Sequence, residues 1–144
     1  MRNPSWPNDI ASMHSKFGVN AAVNKMDVPT LAALKHFRLR FLEEELTEAY
    51  SAETADDFVD AMIDLCVVAI GTLDAFGVDA QKAWNRVHFA NMAKEVGIKE
   101  SRPNPLKLPD LVKPEGWVAP THADNVGYLA KIFLPTTEEN DDEQ

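Results

Sequence analysis

Apolar residues recur at helical spacing through most of the chain up to Gly97, and this spacing predicts helices rather than strands. The segment 8–18 predicts a short first helix that ends at Gly18. A longer second helix is predicted over 29–52, because Pro29 suits a first turn and Asp27 can cap it. Its apolar positions are Leu31, Leu34, Phe37, Phe41, Leu42 and Ala49.

Two further helices follow the second one. Thr54 is a suitable N-cap, and the third helix is predicted to continue until Gly77 ends it. This helix is apolar almost all round, which indicates the centre of a bundle or a subunit interface. A fourth helix is predicted from Asp79, as its cap, to Gly97.

Beyond Gly97 the chain is rich in proline, which excludes long regular structure. The run 127–135 is compatible with one short final element, and no alternating pattern predicts a sheet. We therefore predict an all-α fold, a bundle of about four main helices with a Pro-rich C-terminal extension. Residues 1–135 are predicted to form one domain, with the extension over 97–135 and an acidic, disordered tail over 136–144.

Composition and charge argue against several classes of function. The formal net charge of -9 argues against nucleic-acid binding, which needs clustered Lys and Arg. Cys66 cannot form an internal disulfide and is predicted to be a buried, reduced thiol. The chain has no long apolar run and no signal-peptide layout, so we expect no membrane partner and a cytoplasmic location, in the host cytoplasm for a viral source.

Carboxylates at helical spacing are the main candidates for chemistry. Glu45 with Glu48, and Asp60 with Asp64, are three or four residues apart and project as pairs from one helix face each. Asp60 and Asp64 lie within an apolar helix, where an unsatisfied charge is costly. Carboxylates turned toward one another need a cation between them, and all-oxygen sites suit Mg²⁺ or Mn²⁺.

Plainer interpretations exist for most of these residues. Taken alone, a run of three glutamates is most often a solvated helix face. A second hypothesis is therefore a non-catalytic helical assembly protein whose acids are exposed or pair across an interface. Trp84 is equally compatible with core packing and with contact to a base, and Trp117 is predicted to anchor the Pro-rich extension.

Several motifs in a fixed order resemble the all-α nucleoside triphosphate pyrophosphohydrolases, the superfamily of MazG-like proteins. This chain has the spacing EExxE, and four of its segments are similar to motifs of the phage and bacterial branch of that superfamily. These segments are MHSKFGV, DAMIDLCVVAIGTLDAFGVD, VHFANMAK and KPEGWVAP. The superfamily also contains dimeric dUTPases and phosphoribosyl-ATP pyrophosphohydrolase.

The resemblance implies a helical bundle that assembles as a homodimer or homotetramer. It also implies hydrolysis of a nucleotide between its α- and β-phosphates, with a monophosphate and pyrophosphate as products. On this chain the metal motif corresponds to Glu45, Glu48 and Asp64. Ala61 stands where the wider superfamily has its second glutamate, and Asp60 is the expected substitute. Glu44 or Glu45 could act as the general base.

The same resemblance implies a set of substrate-binding residues, with Arg86 as a weaker candidate. They are His14, Lys16, Trp84, Asn91 and Lys94. Viral MazZ-type relatives convert dGTP or GTP to the monophosphate for synthesis of a modified purine, so guanine is the preferred base. Phosphoribosyl-ATP and damaged nucleotides are the alternative substrates, and nucleotide-pool control is the implied role.

Overall fold

Helices dominate the computed structural model, which describes residues 4–133. This confirms the predicted all-α class, to which the structure adds one short hairpin and a 3₁₀ turn. The helices are α1 (Trp6–Phe17), α2 (Val19–Asn24), α3 (Val28–Ser51), α4 (Ala55–Ala75) and α5 (Ala80–Met92). The strands are β1 (Glu95–Gly97) and β2 (Asp110–Val112), and Gly127–Lys131 form the 3₁₀ helix.

Side-chain caps fix where the long helices begin. The Asp27 carboxylate accepts a hydrogen bond from the Thr30 amide at 2.9 Å at the start of α3. The Thr54 hydroxyl accepts from the Asp57 amide at 3.0 Å at the start of α4. Both caps satisfy amides that have no partner inside the helix, and both confirm the sequence prediction.

The structure differs from the predicted element order in three places. The weakly patterned segment after Gly18, for which no helix was predicted, forms α2. The last predicted helix ends at Met92 rather than Gly97. The residues after it form β1, which pairs antiparallel with β2 in the Pro-rich extension. The partners in this ladder are distant in sequence, and Val96 and Leu111 are both exposed, so no buried alternation marked the strands.

The chain divides into two compact units. The first contains the chain up to Ala80 and again from Asn125, and the second contains Gln81–Asp124. In the first unit α1, α2 and α3 pack on α4. The prediction of one domain over 1–135 stays a prediction, and the predicted tail over 136–144 lies outside the described residues.

The core of the first unit surrounds Leu31 of α3 and Phe76 at the end of α4, the largest fully buried side chains. The chain returns to this core after the second unit. Tyr128 donates its backbone N–H to the Phe76 carbonyl at 2.7 Å. Gly127 has φ 51°, and a Cβ there would lie 2.1 Å from that same carbonyl oxygen, so only glycine permits the approach. The core cluster comprises Val23, Leu31, Ala75 and Phe76, with Val19, Met26, Leu34, Tyr128, Leu129 and Ile132 packed against it.

Within residues 4–133, one side of α4 is left uncovered. Phe58, Val59, Met62 and Ile63 are 50%, 61%, 43% and 44% exposed. Cys66 is a free, half-buried thiol next to this surface. Within residues 4–133 no single helix is long and apolar enough to cross a membrane, and α4 and α5 pass that test only as a pair, by length and composition.

Candidate active site

The helices α3 and α4 bring the predicted acids of two sequence segments together. Glu45 lies on α3 and is buried, at 9% exposure, whereas Glu48 on the next turn is exposed. Asp64 lies on α4 and is half-buried. The Glu45 Oε2 atom is buried and has no hydrogen-bond partner. A buried carboxylate oxygen without a partner is costly, so this position favours a bound cation or proton.

The electrostatics of Glu45 show which acids share its surroundings. Burial raises the pKa of Glu45, and the negative charges of Glu48, Asp64 and Glu44 raise it further, in that order. Because Asp64 is on α4 and the others are on α3, the acidic cluster spans both helices. Glu44, Glu48 and Asp64 thus lie near enough to Glu45 to raise its pKa, and their predicted roles as metal ligands or base stay predictions.

Asp60 lines a groove that also contains Glu48. An open groove of about 380 Å³ runs between the end of α3 and the start of α4. Glu48 and Asp60 both line this groove, together with the buried Ala61. Glu48 therefore belongs both to the surroundings of Glu45 and to the groove that contains Asp60. Whether Asp60 replaces the superfamily's second glutamate stays a prediction.

The side chains of the cluster have the chemistry that a divalent metal ion prefers, although they are not gathered around one point. Within residues 4–133 no group of three or more His, Cys, Asp or Glu side chains is already gathered closely enough to hold one. The fit rests on the unpartnered Glu45 Oε2 atom and on the neighbouring carboxylates that raise its pKa. An ion bound there would give Glu45 its missing partner and remove the repulsion among the acids. Oxygen ligands of this kind suit Mg²⁺ or Mn²⁺.

A network of polar side chains fixes α3 and α1 against α4. Arg38 on α3 donates from Nε to the Thr72 hydroxyl and from Nη2 to the Val68 carbonyl, each at 3.0 Å. Gly71 leaves room for this arrangement, because a Cβ there would lie 2.8 Å from Arg38 Nη2 and 3.3 Å from the His14 ring. The sequence analysis did not single out Arg38 or Gly71.

His14 and Lys16, predicted to bind substrate, lie on α1 of the first unit. His14 is buried, and its Nδ1 is 2.8 Å from Asp74 Oδ2. The ring adjoins Gly71, two helical turns beyond Asp64, or about 10 Å along the axis of α4. Lys16 is exposed, with Nζ 5.3 Å from the centre of the Phe17 ring. A substrate role for either residue stays a prediction.

The other predicted substrate residues belong to the second unit. Trp84 is 61% exposed and Asn91 is also exposed, whereas Lys94 is half-buried. The Lys94 Nζ lies 5.4 Å from the centre of the Trp117 ring. Trp117 donates its indole N–H to the Ala90 carbonyl at 2.8 Å, which confirms the predicted anchoring of the extension, here onto α5.

Arg86 was the weaker candidate for a phosphate contact. Its guanidinium donates to both carboxylate oxygens of Asp124, at 2.6 and 2.8 Å. Asp124 also accepts from Lys82 at 3.0 Å. The hydrogen bonds from Arg86 and Lys82 hold the pKa of Asp124 well below its usual range. Arg86 therefore already has an anionic partner within its own unit.

One cation close to the acids escaped the sequence analysis. Arg40 lines a shallow surface pocket on α3 with Glu43, Glu44 and Glu48. Arg40 is four residues before Glu44, and this spacing could have indicated that the two side chains are neighbours. Such pairs are common on exposed helix faces, so the spacing alone did not single out Arg40. Arg40 is therefore a cation that shares a pocket with two of the clustered acids, Glu44 and Glu48.

Comparison with known proteins shows the family to which the chain belongs. A family model described as phosphoribosyl-ATP pyrophosphohydrolase matches residues 12–91, more than half of the chain. The chain belongs to the phosphoribosyl-ATP pyrophosphohydrolase family. Searches of curated proteins and of solved structures gave no match. The resemblance to the all-α pyrophosphohydrolases is thereby confirmed at the level of this family.

Membership of the phosphoribosyl-ATP pyrophosphohydrolase family makes the protein an enzyme that hydrolyses a pyrophosphate bond of a nucleotide. The hypothesis of a non-catalytic assembly protein was therefore wrong. The matched residues include every predicted metal ligand, together with His14, Lys16, Trp84 and Asn91. Lys94 and the hairpin that follows it lie outside the match.

Proposed function

We propose that the protein hydrolyses a nucleoside or deoxynucleoside triphosphate between its α- and β-phosphates, with Mg²⁺ or Mn²⁺ as the cofactor. The products are the monophosphate and pyrophosphate. The observation that carries this proposal is the buried Glu45 Oε2 atom, which has no hydrogen-bond partner, in a carboxylate whose pKa is raised by Glu48, Asp64 and Glu44. A chain with a net charge of -9 needs such a cation to hold a polyanionic substrate.

The acids have distinct roles in this proposal. Glu45, Glu48, Asp64 and Asp60 hold the ions, which when bound neutralise phosphate charge and acidify the attacking water. Glu44 or Glu45 accepts the proton that the water loses as its oxygen attacks phosphorus and the bridging P–O bond breaks. The glutamate that the ions do not use fully as a ligand is the one free to act as this base.

Guanine nucleotides are our first candidates for the substrate. Support comes from the resemblance to the phage and bacterial branch and its viral MazZ-type enzymes, in the motifs MHSKFGV, VHFANMAK and KPEGWVAP. His14, Lys16, Trp84, Asn91 and Lys94 are the proposed substrate contacts. The role would be nucleotide-pool control or modified-purine synthesis in the cytoplasm. Phosphoribosyl-ATP is the second candidate, favoured by the description of the matching family.

A nucleotide panel tests the proposal directly. Each nucleotide, including dGTP, GTP and phosphoribosyl-ATP, is incubated with the enzyme and Mg²⁺ or Mn²⁺, and the products are separated by chromatography. Monophosphate and pyrophosphate are expected in equal amounts, fastest from dGTP or GTP. Release of orthophosphate would show that the wrong bond has been assigned, and fastest turnover of phosphoribosyl-ATP would favour the second candidate.

Variants connect this activity to the acidic cluster. Glu48→Gln and Asp64→Asn are expected to abolish pyrophosphate release while the circular dichroism of the helices is unchanged. Glu43→Gln is the matched control, because it removes one negative charge from the same run of glutamates without changing a proposed ligand. Activity near that of the wild type in Glu48→Gln or Asp64→Asn would refute the metal assignment.

We also propose that the enzyme assembles as a homodimer or homotetramer. The exposed apolar side chains of α4 support this, since monomers rarely leave such a patch in water. Next to it, α1 and α4 enclose an apolar pocket of about 210 Å³. Its lining is Trp6, Asp9, Ile10, Ile63, Cys66, Val67 and Ile70.

A further inference from the structure

An aromatic side chain and a carboxylate border the apolar pocket between α1 and α4. Trp6 and Asp9 are three residues apart on α1, so they project from one face of that helix. Both are exposed, whereas Ile10 beside them is buried. Among the described residues that line the pocket, Asp9 alone is charged. The whole lining belongs to the first unit.

The pocket is large enough for a two-ring base. Its volume is about 210 Å³, and an apolar cavity of about 150 Å³ is sufficient to bind the single ring of benzene. Ile63, Val67 and Ile70 of α4 contribute apolar surface to it. Trp6 is 57% exposed, so its indole ring retains a surface on which a base can stack. These properties suit a planar aromatic ligand.

The Asp9 carboxylate is complementary to one base in particular. An ionised carboxylate accepts hydrogen bonds and donates none. Guanine presents two neighbouring donors on its Watson–Crick edge, the N1–H and the 2-amino group, whereas adenine presents one amino group beside an acceptor nitrogen. Hypoxanthine has the N1–H but lacks the 2-amino group. Within residues 4–133 no hydrogen bond or ion pair occupies the Asp9 carboxylate, so both of its oxygens can accept from guanine.

The pocket lies beside the acidic cluster on α4. Ile63, which lines the pocket, directly precedes Asp64 of the cluster. Successive helical residues are rotated by about 100°, and a helix with its side chains is about 10–12 Å wide, so these two side chains lie on neighbouring faces about 8 Å apart. The ribose that links a base to its α-phosphate covers such a separation. Pocket and cluster belong to the same unit, so one nucleotide can contact both.

We propose that this pocket binds the guanine of the substrate, with Trp6 stacked on the base and Asp9 accepting from its N1–H and 2-amino groups. Both are specificity-determining residues that the sequence analysis missed. The inference rests on the proposed function, because the base belongs to the nucleotide whose phosphates bind the ions. Phe58, Val59 and Met62 do not line the pocket, so an interface can bury them without filling it.

Binding of dGMP to the metal-free protein tests the pocket by itself. The full chain, labelled with ¹⁵N and kept in EDTA, is titrated with dGMP while the tryptophan indole N–H signals are followed by NMR. The Trp6 signal, assigned with Trp6→Phe, is expected to shift and saturate. We expect dIMP, without the 2-amino group, to bind about fivefold more weakly and dAMP about tenfold more weakly. A Trp6 signal that does not respond to dGMP, or responds equally to dAMP, would overturn the proposal.

Asp9→Ala tests the carboxylate, because it removes both acceptor oxygens. The preference for dGMP over dIMP is expected to fall from about fivefold to less than about twofold. Comparison of the two ligands cancels the gain that any anion obtains when a negative charge is lost. Glu43→Ala, which truncates another exposed acid of the first unit, is expected to keep the preference of the wild type. An unchanged preference in Asp9→Ala would refute the role of Asp9.

Trp6→Tyr and Trp6→Leu test the stacking. Tyrosine keeps an aromatic ring beside the pocket, whereas leucine keeps only apolar bulk. Trp6→Leu is therefore expected to bind dGMP about tenfold more weakly than the wild type, and Trp6→Tyr less than about threefold more weakly. Equilibrium dialysis in EDTA compares the three proteins. Equal affinity of Trp6→Leu and the wild type would show that the base does not stack on Trp6.

Kinetics with the metal present separate this proposal from the proposed function. In the wild type, KM for dITP is expected to be about fivefold higher than KM for dGTP, with a smaller difference in kcat, as for a contact made equally in the ground and transition states. In Asp9→Ala the two KM values should be nearly equal. Hydrolysis without a Trp6 response to dGMP would refute the base site alone. A Trp6 response without hydrolysis of any nucleotide would refute the proposed function alone.

Discussion

Arg38 of α3 binds the Val68 carbonyl of α4 one helical turn away from Asp64. It lies two turns before Glu45 on its own helix, so the guanidinium fixes the register in which Glu45 and Asp64 come together. The second bond, to the Thr72 hydroxyl, prevents the guanidinium from sliding along α4. The register of the acidic cluster is therefore determined by a residue that does not belong to it.

Removing this guanidinium should destabilise the first unit. Arg38→Leu is expected to lower the free energy of unfolding by about 1.5–3 kcal/mol, the usual contribution of a hydrogen bond to a charged group. Arg40→Leu is the control, since Arg40 is an exposed arginine on the same helix. Urea unfolding followed by circular dichroism measures both variants. Equal losses of stability would show that the two bonds of Arg38 contribute nothing specific.

Gly71→Ala should be destabilising, although alanine is the better helix former. Alanine would gain about 0.8–1 kcal/mol in helix propensity. Its Cβ would meet Arg38 Nη2 and the His14 ring, and overpacking of this kind costs about 1–3 kcal/mol. In an Arg38→Ala background the closer of these contacts is absent, so the penalty should shrink. Additive effects in this double-mutant cycle would contradict the contact.

The raised pKa of Glu45 predicts the pH dependence of the metal-free fold. Folding favours the protonated carboxyl, so its contribution to stability is complete below the unfolded pKa near 4.5 and is lost as pH rises through the folded pKa. Glu45→Gln keeps a neutral side chain at every pH. In EDTA the wild type should therefore lose stability relative to Glu45→Gln between pH 4.5 and neutrality.

Glu43→Gln serves as the control for this experiment. It lowers the overall negative charge equally but does not change a carboxylate that raises the pKa of Glu45. Thermal unfolding scans at several pH values compare the three proteins. A stability difference between wild type and Glu45→Gln that does not change with pH would mean that Glu45 titrates normally.

Binding of Mn²⁺ should stabilise the native state in proportion to its affinity. At a free concentration of one hundred times Kd, the expected gain in the free energy of unfolding is about 2.7 kcal/mol. Asp64→Asn and Glu48→Gln should lose most of this gain. Asp60→Asn should lose less, because Asp60 lies in the groove rather than among the charges that raise the pKa of Glu45. An Asp60 variant that binds Mn²⁺ more weakly than the Asp64 variant would reverse this ranking.

The uncovered face of α4 predicts self-association. A charge at Met62 or Val59 would be buried without a partner in an interface, so Met62→Glu and Val59→Glu should be monomeric. Leu106→Glu alters an exposed apolar residue of the second unit and should leave the assembly unchanged. Analytical ultracentrifugation distinguishes these outcomes. A wild type that sediments as a monomer would refute the proposed oligomer.

Local signals made much of the first unit predictable. The Asp27 and Thr54 side chains each accept a hydrogen bond from the amide three residues later. The starts of α3 and α4 could therefore be predicted from short sequence patterns. The spacing of Glu45 and Glu48 likewise placed both on one helix face. Their grouping with Asp64 followed from the family resemblance and from the helical spacing of the second acidic segment.

The features that could not be predicted depend on contacts between residues that are far apart in sequence. Arg38 meets Val68 thirty residues later, and nothing in the pattern around Arg38 distinguishes it from an exposed arginine. The pairing of β1 with β2 depends on a connection that contains several prolines. Trp6 and Asp9 could be placed beside Ile63 only after the packing of α1 on α4 was known.

The return of the chain to the first unit has a consequence for biosynthesis. Tyr128, Leu129 and Ile132 pack against the core around Phe76, and all three follow the second unit in the chain. A ribosome therefore makes the whole of Gln81–Asp124 before the first unit can complete its core. Domains usually fold in the order of their synthesis. Here the core around Leu31 and Phe76 stays incomplete until Tyr128, Leu129 and Ile132 have been synthesised.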